Sequence, residues 1–485
     1  MAHIPQSVLD RQPDLEGLKL LNRGKVRNSY ELPGHPDKML VVASDRCSIY
    51  DFVLPTLVPE KGQNLTALNH FQTRIINPFC NTDFVACGKD MNQYLPKNLR
   101  DNLELQKRAT VVRIHPAPEV EDIVRLVMAG SGWTSYKQNQ TICGHRLPPG
   151  IKEGDLLPYP IYAPTTKAKV GHDEHMLVND VIKKYGFMRE RLALQAACAI
   201  ADHALKCGIR MFDTKFEFSG ETIVDERGTP DSSRFVDEKE WQKAQKEGKL
   251  PPSLDKQYVR EWGKKMGIDK RNPLNPEDIA FVDSVKVPSD VVHATTLIYR
   301  YIFWRLTGMQ IEVYQNNFMG INSTVKVPRI EVIVGSESDL CQTGTDMVSI
   351  SGISDTHLSI ISCHRNPDEL RKFLKEKASK ADVFIAGAGM AAALPGIVKA
   401  ELCALGHVQI PVIGVAFKGK TEQDDQAAKL SIECLPGQPV ELDPDGRAYF
   451  GPEGFLKACK SAVNDEFLPK TRSNKPAQIH INAIS

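Results

Sequence analysis

Alternating charged residues in residues 212–226 are the clearest sign of chemistry in this sequence. Asp213, Lys215 and Glu217 occupy every second position of "FDTKFEF", and Asp225 follows after a short turn. Because alternate residues of a strand point to one face, the three charged side chains would share that face, and a hairpin would bring Glu217 near Asp225. Two carboxylates beside phosphate oxygens suit a partly hydrated magnesium ion. The alternative is the solvated face of an antiparallel sheet.

Cationic side chains stand beside glycines and hydroxyls elsewhere in the first half. "RGKVRNSYEL" places Lys25 and Arg27 after a glycine, in a pattern typical of strand, turn and strand. Two such cations suit phosphate oxygens, although a motif this short is more often a solvated hairpin. Arg125, Ser131 and Arg234 belong to two further clusters, and forked guanidinium groups suit carboxylates or phosphates. Each cluster could equally be an ordinary loop.

In the second half, "IISCHRNPDEL" places His364 and Arg365 between an apolar run and a helix start. Asn366 is predicted to cap that helix, Pro367 suits its first turn, and the two acidic residues that follow suit its positive end. These helix-start signals do not explain why His364 and Arg365 stand just before the helix. Imidazole carries a proton either way near neutrality, with an ordinary pKa of about 6.5.

"GVAFKGKT", residues 414–421, matches the phosphate-binding pattern G-x-x-x-x-G-K-[ST] letter for letter. Residues 415–417 nevertheless continue an apolar strand where a phosphate loop should already turn. We therefore interpret Lys418 and Lys420 as a basic rim around a pocket and not as part of a second ATPase site.

The elements that must position these residues differ between the two halves. Before residue 319, strands and helices are mixed irregularly, which indicates an α+β organisation. After residue 328, apolar strands alternate with helices, which indicates a parallel sheet covered on both faces. Ligands of such sheets bind beyond the carboxyl ends of the strands, so we predict that His364 lies at a ligand site. The predicted domains are 1–318 and 329–485, joined by a linker at 319–328.

Bulk composition excludes several classes of protein. The chain has 485 residues, a net charge of +1 and 25% charged residues, so no global field favours nucleic acid or a membrane surface. The N-terminal residues lack the pattern of a signal peptide. The eleven cysteines form no CxxC pair and indicate reduced thiols. We expect a cytoplasmic protein that binds neither nucleic acid nor membrane.

The first half resembles SAICAR synthetase, the phosphoribosylaminoimidazole-succinocarboxamide synthases. The motifs "DRCSIYDFVLPTLVPEKGQNLTAL", "VRLVMAGSGW", "DTKFEF", "DSSRF" and "SLDKQYVR" carry this resemblance over residues 15–310. It implies an ATP- and magnesium-dependent ligase that joins L-aspartate to carboxyaminoimidazole ribonucleotide (CAIR).

The resemblance also implies residue roles. Lys215 and Asp213 would be catalytic, and Glu217 and Asp225 would hold magnesium. The ATP-binding residues would be Lys25, Arg27, Lys215 and Glu217. The substrate-binding residues would be Asp45, Ser48, Asp51, Arg125, Ser131, Lys167, His172, Asp173 and Arg234.

The second half resembles phosphoribosylaminoimidazole (AIR) carboxylase and its mutase relative. The motifs "VIVGSESDL", "ISCHRNPDEL", "AGAGMAAALPGIV", "PVIGV" and "LSIECLPGQPV" carry this resemblance over residues 329–465. It implies a flavodoxin-like three-layer α/β domain that forms an octamer and needs no metal or cofactor. His364 would be catalytic. The ribonucleotide would be bound by Ser336, Asp339, Ser362, Arg365, Gly387, Ala388 and Gly389.

Together the resemblances imply a bifunctional enzyme of purine and IMP biosynthesis. The second half would carboxylate AIR with CO2, and the first half would consume the CAIR formed. The bacterial-type motif of the carboxylase family has a histidine where this chain has Ala393. A mutase acting on the N-carboxylated isomer of CAIR, or a non-catalytic oligomerisation scaffold, therefore remain alternatives for the second half.

Overall fold

The computed structural model describes residues 3–12, 14–167, 174–343 and 354–470. The chain divides into an N-terminal unit, Met1–Thr324, and a C-terminal unit, Val325–Ser485. This division falls inside the predicted linker. The first residues of that linker pack on the N-terminal unit, where the Met319 carbonyl accepts the Lys89 N–H at 2.9 Å.

Strands and helices alternate irregularly in the N-terminal unit. Its strands are β1 Leu20–Arg23, β2 Arg27–Glu31, β3 Lys38–Ala43, β4 Arg46–Ile49, β5 Phe52–Leu57, β6 Asn81–Thr82, β7 Phe84–Cys87, β8 Ala109–Arg113, β9 Val120–Val127, β10 Thr141–Ile142, β11 His145–Arg146, β12 Leu156–Tyr162, β13 Thr165–Thr166, β14 Ile209–Ser219, β15 Thr222–Val224 and β16 Ser233–Asp237. Its helices are α1 Gln6–Leu9, α2 Lys61–Ile76, α3 Leu103–Arg108, α4 Gly130–Asn139, α5 Val178–Tyr185, α6 Phe187–Lys206, α7 Glu238–Glu247, α8 Gln257–Lys265, α9 Pro276–Ser284, α10 Ser289–Thr307 and α11 Ile311–Phe318. Short 3-10 turns lie at Gly88–Gln93, Lys97–Leu99 and Ile268–Lys270.

Two larger sheets organise the N-terminal unit. The first is antiparallel, with the order β1-β2-β3-β8-β7. The second has the order β12-β9-β14-β15-β6, with β13 paired to β9 and β16 paired to β14. The alternation predicted for residues 212–218 is confirmed, because Phe212, Phe216 and Phe218 are buried in β14. Helix α6 packs on β9, β12 and β14 and ends before Gly208, whose φ of +70° suits a residue without a side chain.

The C-terminal unit is a parallel sheet between helices. Its elements are β17 Arg329–Val334, α12 Glu337–Leu340, β18 Asp355–Ile360, α13 Pro367–Lys377, β19 Val383–Ala388, α14 Leu394–Ala404, β20 Val412–Ala416, α15 Glu422–Glu433, β21 Tyr449–Phe450 and α16 Gly451–Asn464. The sheet order is β18-β17-β19-β20-β21, which is the flavodoxin-like order and confirms the predicted fold class.

Both faces of this parallel sheet are buried. In β17, Ile330, Val332 and Val334 join one hydrophobic cluster, whereas Ile333 joins another. The first cluster packs against residues of α16, and the second against residues of α13, α14 and α15. This double burial is why the strands of the unit appear as continuous apolar runs in the sequence. Across the ranges that the structure describes, we find no helix with the length and apolar character needed to cross a bilayer.

Candidate functional site

A cavity of about 590 Å³ opens between the two larger sheets of the N-terminal unit. Part of its wall is apolar and part is charged. The apolar part includes Met39, Val41, Leu65, Val112 and Val224. The charged part includes Lys25, Arg27, Glu121, Lys167, Lys215, Glu217, Asp225 and Glu226. Such a wall suits a ligand with one flat apolar end and one anionic end.

The predicted phosphate turn between β1 and β2 is held from behind by Arg46. This guanidinium is 1% exposed, and it donates to the carbonyls of Gly24 and Lys25, at 3.1 Å each, and to Asn28 Oδ1 at 2.7 Å. Burial, with a smaller effect of the neighbouring Arg23, lowers the pKa of Arg46 to about 10. At Gly24, a Cβ would lie 2.9 Å from the Arg27 carbonyl oxygen, so a side chain does not fit there.

Two lysines of the cavity are paired with carboxylates. Lys215 Nζ lies 2.5 Å from Glu121 Oε1, across the pairing of β14 with β9, and 3.8 Å from Glu217. Lys167 Nζ lies 2.5 Å from Glu217 Oε2. Burial would lower the pKa of Lys215, but the neighbouring carboxylates, Glu121 first, raise it above its ordinary value. Lys215 therefore stays charged beside the cavity.

Asp225 and Glu226 lie on the turn that follows β15, and Arg27 contacts both. Arg27 Nη1 forms a very short ion pair with Asp225, and Nη2 lies 2.6 Å from Glu226 Oε2. Glu217 is opposite Val224 in the β14–β15 hairpin, so the predicted proximity of Glu217 and Asp225 is found. Burial first, and then the charge of Asp225, raise the pKa of Glu217. The mutual repulsion of these two carboxylates is what a divalent cation would relieve.

The donor set at this turn fits magnesium bound together with phosphates. No group of three or more His, Cys, Asp or Glu side chains that could hold a metal ion occurs within the described ranges. Magnesium, however, is usually held by one or two carboxylates, substrate phosphates and water. Glu217 and Asp225 supply that number of carboxylates at the wall of the cavity. Their role as metal ligands stays a prediction.

Arg125 and Arg234 converge on Asp213. Arg125 Nη1 lies 3.1 Å from Asp213 Oδ2 and its Nη2 donates to Ser131 Oγ at 2.7 Å, while Arg234 Nε lies 2.8 Å from Asp213 Oδ1. Burial would raise the pKa of Asp213, but the two guanidinium groups, Arg234 first, hold it below its ordinary value. Gly132 packs closely on Arg125, since a Cβ at position 132 would lie only 3.1 Å from Arg125 Cδ. These predicted residues are therefore brought together into one cationic corner.

Asp231 was missed by sequence reasoning, although it lies in the same "PDSSRF" motif as Arg234. Its carboxylate accepts from Lys61 Nζ at 2.5 Å and, in a very short bond, from Tyr299. All three side chains are buried. Lys61 and, to a smaller extent, Lys256 lower the pKa of Asp231 against the opposing effect of burial. The partners come from α2 and α10, far away in the sequence, so no local pattern marks this cluster.

The remaining predicted residues of the N-terminal unit lie in different surroundings. Asp51 pairs with Lys25 at 2.5 Å, beside the cavity. Asp45 is buried, and its carboxylate accepts from Gln12 and from the Gly62 N–H. Ser48 lies in β4 opposite Val53. His172 and Asp173 lie outside the described residues.

In the C-terminal unit, predicted site residues meet at the carboxyl ends of β17, β18 and β19. Ser336 Oγ donates to Asp339 Oδ2 at 2.8 Å, and the Gly389 N–H donates to Asp339 Oδ1 at 3.2 Å. Arg365 Nη2 donates to the Gly335 carbonyl at 3.0 Å, and its backbone N–H donates to Ser362 Oγ at 3.2 Å. Burial raises the pKa of Asp339, against the opposing effect of these hydrogen bonds.

His364 is exposed at this edge, next to Arg365. Gly387 and Ala388 end β19, and a Cβ at Gly387 would lie 2.5 Å from the Phe417 ring, so packing alone explains that glycine. The predicted cap at Asn366 is wrong in one respect. Asn366 occupies the N-cap of α13, but its side chain makes no capping hydrogen bond, because its φ of −133° and ψ of 53° depart from the usual capping geometry.

The phosphate-loop pattern at residues 414–421 has another explanation. Phe417 continues the pairing of β20, since its N–H donates to the Ala388 carbonyl. The N–H groups of Gly419, Lys420 and Thr421 donate to the carboxylates of Asp424 and Asp425, and Thr421 forms a capping box with Asp424. The amides that would cradle a phosphate are thus occupied by side chains of α15.

Comparison with known proteins identifies the family. The family model described as SAICAR synthetase matches residues 20–275, which is more than half of the chain. The chain belongs to the SAICAR synthetase family. Residues 329–441 match a second family model, AIR carboxylase. The polypeptide thus combines a SAICAR synthetase domain with a domain of the AIR carboxylase family.

Curated relatives of this family match the N-terminal part of the chain. The phosphoribosylaminoimidazole-succinocarboxamide synthase of Methylobacillus flagellatus is 38% identical over 305 residues, which are 61% of this chain and 96% of that protein. The enzyme of the same name in Schizosaccharomyces pombe is 35% identical over 59% of this chain and 93% of that protein. The solved structure of a SAICAR synthase from Saccharomyces cerevisiae in complex with SAICAR has a TM-score of 0.52 and 32% identity, over 61% of this chain and 97% of that chain.

Proposed function

We propose that the N-terminal unit condenses CAIR with L-aspartate, consuming ATP and giving SAICAR, and that the C-terminal unit supplies CAIR by carboxylating AIR. One observation carries the first half of this proposal. In the wall of the cavity, three cations, Lys25, Arg27 and Lys215, lie close to the carboxylates Glu217 and Asp225. The two family memberships support consecutive reactions on one chain.

The cavity offers ATP one environment for its base and another for its phosphates. Met39, Val41 and Val112 present an apolar surface for a flat purine ring. Lys25 and Arg27, at the turn that Arg46 holds, supply charge-assisted donors for phosphate oxygens.

Magnesium would be held by Glu217 and Asp225 together with those phosphates. When bound, magnesium would neutralise negative charge that develops on the transferred phosphoryl group. Lys215 adds a fixed positive charge next to Glu217, at 3.8 Å. It would stabilise the same developing charge from the protein side.

The reaction needs activation because a carboxylate has no leaving group. An oxygen of the CAIR carboxylate attacks the γ-phosphorus of ATP, and ADP leaves. The aspartate amine then attacks the acyl carbon, the C–O bond to phosphate breaks, inorganic phosphate leaves and the amine proton passes to solvent. The contribution of the protein is largely positioning and charge neutralisation.

The cationic corner is where we place the ribonucleotide. Arg125, Ser131 and Arg234 can orient its anionic groups, with Asp213 fixing the two guanidinium groups in place. Lys167 and the "DRCSIYD" residues Asp45, Ser48 and Asp51 are proposed to complete the nucleotide and aspartate sites, together with His172 and Asp173.

The test of this half is formation of SAICAR by the purified chain from CAIR, aspartate, ATP and magnesium. Product should be absent when any one of the four is omitted. Product that forms without ATP would contradict an acyl phosphate route.

For the C-terminal unit, we propose that CO2 adds to the ring carbon of AIR and that the same carbon then loses its proton. His364, next to the phosphate-binding candidate Arg365, would take that proton. The gathering of Ser336, Asp339, Ser362 and Arg365 at the carboxyl edge of a parallel sheet supports a ligand site there. No metal or cofactor is proposed for this step.

An assay with labelled bicarbonate distinguishes a carboxylase, a mutase and a non-catalytic scaffold as the role of the C-terminal unit. With AIR and without ATP, label should enter CAIR in the wild type and be lost in His364→Asn. Absence of label in the wild type would reject the carboxylase. Conversion of the N-carboxylated isomer of CAIR would then indicate a mutase, and no conversion would indicate a scaffold. His407→Asn, in the same unit, is the control that should keep wild-type labelling.

The resemblance further suggests a homo-octamer formed through the C-terminal unit. Light scattering of the purified chain should give a mass near eight copies of 54.0 kDa. A mass near one copy would reject this assembly.

A further inference from the structure

A buried ion pair between Asp83 and Arg227 lies next to the turn that carries Asp225 and Glu226, and Asp83 also lines the cavity. Arg227 is 0% exposed and Asp83 is 3% exposed. Arg227 Nη2 forms a very short ion pair with Asp83 Oδ1 and also donates to the Ile223 carbonyl at 3.2 Å. Asp83 directly follows β6, the edge strand that pairs in parallel with β15. The pair therefore joins the end of the second sheet to the turn.

The backbone of Asp225 is fixed by the same carboxylate. Its N–H donates to Asp83 Oδ2 at 3.2 Å. Asp225 has a φ of +64°, a left-handed conformation that is costly for a residue with a side chain. A conformation of this kind persists only where the surroundings hold it, and the Asp83 carboxylate is one of the groups that do so here.

Helix α2 anchors the other end of the turn. Asn69 Oδ1 accepts a hydrogen bond from the backbone N–H of Arg227 at 3.0 Å. The Nη1 of Arg227 lies 3.5 Å from Thr73 Oγ1. Gln72 Nε2 donates to the Gly228 carbonyl at 3.3 Å. The turn is thus held on both sides, while the Asp225 and Glu226 side chains face Arg27 at the cavity.

Stability alone is a weak explanation for this ion pair. Removing two charges from water costs free energy that their attraction often fails to repay, so apolar replacements of buried pairs are frequently neutral or stabilising. A positional role accounts for retaining it.

We propose that Asp83 and Arg227 are positioning residues that hold Asp225 in its metal-binding conformation. The inference rests on the proposed function, since it assumes that Asp225 and Glu217 hold magnesium with ATP. Residues behind metal ligands typically affect metal affinity or activity by about 10- to 100-fold when they are changed.

The experiment measures Mn²⁺ affinity by electron paramagnetic resonance, in the full chain saturated with a non-hydrolysable ATP analogue. Asp83→Asn removes the charge and one acceptor at nearly constant shape, and it should weaken Mn²⁺ binding by about 10- to 100-fold. The KM for magnesium should rise while the KM for aspartate changes little. Unchanged Mn²⁺ affinity in a folded Asp83→Asn variant would overturn the inference.

The matched control is the equally buried pair Asp122–Arg189, in which Arg189 Nε and Nη2 donate to the two carboxylate oxygens at 2.6 and 2.7 Å. Asp122→Asn should lower thermal stability yet leave Mn²⁺ affinity within about twofold of the wild type, because this pair makes none of the contacts to the 225–228 turn. Equal losses of affinity in both variants would point to general destabilisation and overturn the positioning role.

Two further measurements keep the inference falsifiable if Asp83→Asn folds poorly. The double variant Asp83→Leu, Arg227→Met leaves no buried unpaired charge and should fold, but it should still lose Mn²⁺ affinity. In the wild type, the Asp225 amide should exchange slowly with solvent deuterium even without metal, and fast exchange would overturn the inference. If the wild type itself binds the nucleotide equally well with and without metal, the proposed magnesium site fails instead.

Discussion

Arg27 contacts both Asp225 and Glu226, across almost two hundred residues of sequence. Its guanidinium forms one ion pair with each carboxylate at the wall of the nucleotide-sized cavity. Burial works against its charge, but Asp225, Glu226 and more distant carboxylates raise the pKa of Arg27 above its ordinary value. A residue proposed to bind phosphates therefore also neutralises the carboxylate proposed to bind magnesium.

Arg27→Met should have opposite effects on the two ligands. Asp225 and Glu226 lose their cation, so Mn²⁺ binding in the absence of nucleotide should tighten by about tenfold, as expected for loss of one nearby charge. Binding of a fluorescent ATP analogue should weaken, because a charge-assisted phosphate contact is lost. Titration calorimetry with each ligand measures both effects. Arg371→Met, which removes an exposed pair with Glu401, is the control, and weaker binding of both ligands in Arg27→Met would refute the account.

Lys215→Ala should reduce SAICAR formation by about 100- to 1,000-fold, the usual cost of removing one electrostatic donor from an active site. It also leaves Glu121 without the partner that lies at 2.5 Å. Steady-state assays with CAIR measure the effect, and Lys19→Ala, from an exposed pair, should match the wild type. Undiminished activity in Lys215→Ala would reject its assigned role.

Arg125→Lys tests the geometry of the cationic corner. Lysine keeps the charge but cannot contact Asp213 and Ser131 together as the guanidinium does. We expect the KM for CAIR to rise by about 10- to 100-fold, and the KM for ATP to stay within about twofold. Arg189→Lys, in another buried pair, should change neither constant. A larger change in the KM for ATP than for CAIR would place the corner at the nucleotide instead.

His70 should make stability depend on pH. Burial, with help from Arg74, lowers its pKa to about 4, so the unfolded chain binds a proton between pH 6.5 and 4 that the folded chain does not. The contribution of His70 to the free energy of unfolding is therefore fully present above pH 6.5. It decreases as the pH falls, by about 2 kcal/mol from pH 7 to pH 5. Urea unfolding of the N-terminal unit at both pH values should show this contribution missing in His70→Phe. His293→Phe, at an exposed position of α10, is the control and should keep the wild-type change in unfolding free energy between the two pH values. The same change in His70→Phe would count against a buried neutral imidazole at position 70.

Local periodicity made much of the fold predictable. In β14, the alternation of phenylalanines with Asp213, Lys215 and Glu217 fixed both the strand and its charged face. In the C-terminal unit, short apolar runs such as residues 383–388 and 412–416, alternating with helical segments, indicated strands buried on both faces. These signals lie within one element, so a single sequence contains them.

Partners distant in sequence could not be predicted. Glu121 meets Lys215 because β9 pairs with β14, and Asp83 meets Arg227 because β6 pairs with β15. Such contacts depend on sheet order, for which the sequence of the N-terminal unit has no regular signal. The missing side-chain bond at Asn366 has a local cause, a backbone conformation that residue type alone does not specify.

We propose that one chain performs two consecutive steps, carboxylation of AIR and condensation of the CAIR formed with aspartate. The most direct test supplies purified protein with AIR, labelled bicarbonate, aspartate, ATP and magnesium, and follows the label by chromatography. We expect labelled SAICAR, and labelled CAIR alone when ATP is withheld. In Lys215→Ala, formation of labelled SAICAR should fall by about 100- to 1,000-fold while labelled CAIR persists. No label entering CAIR from AIR, or no SAICAR even from supplied CAIR, would contradict this two-step activity.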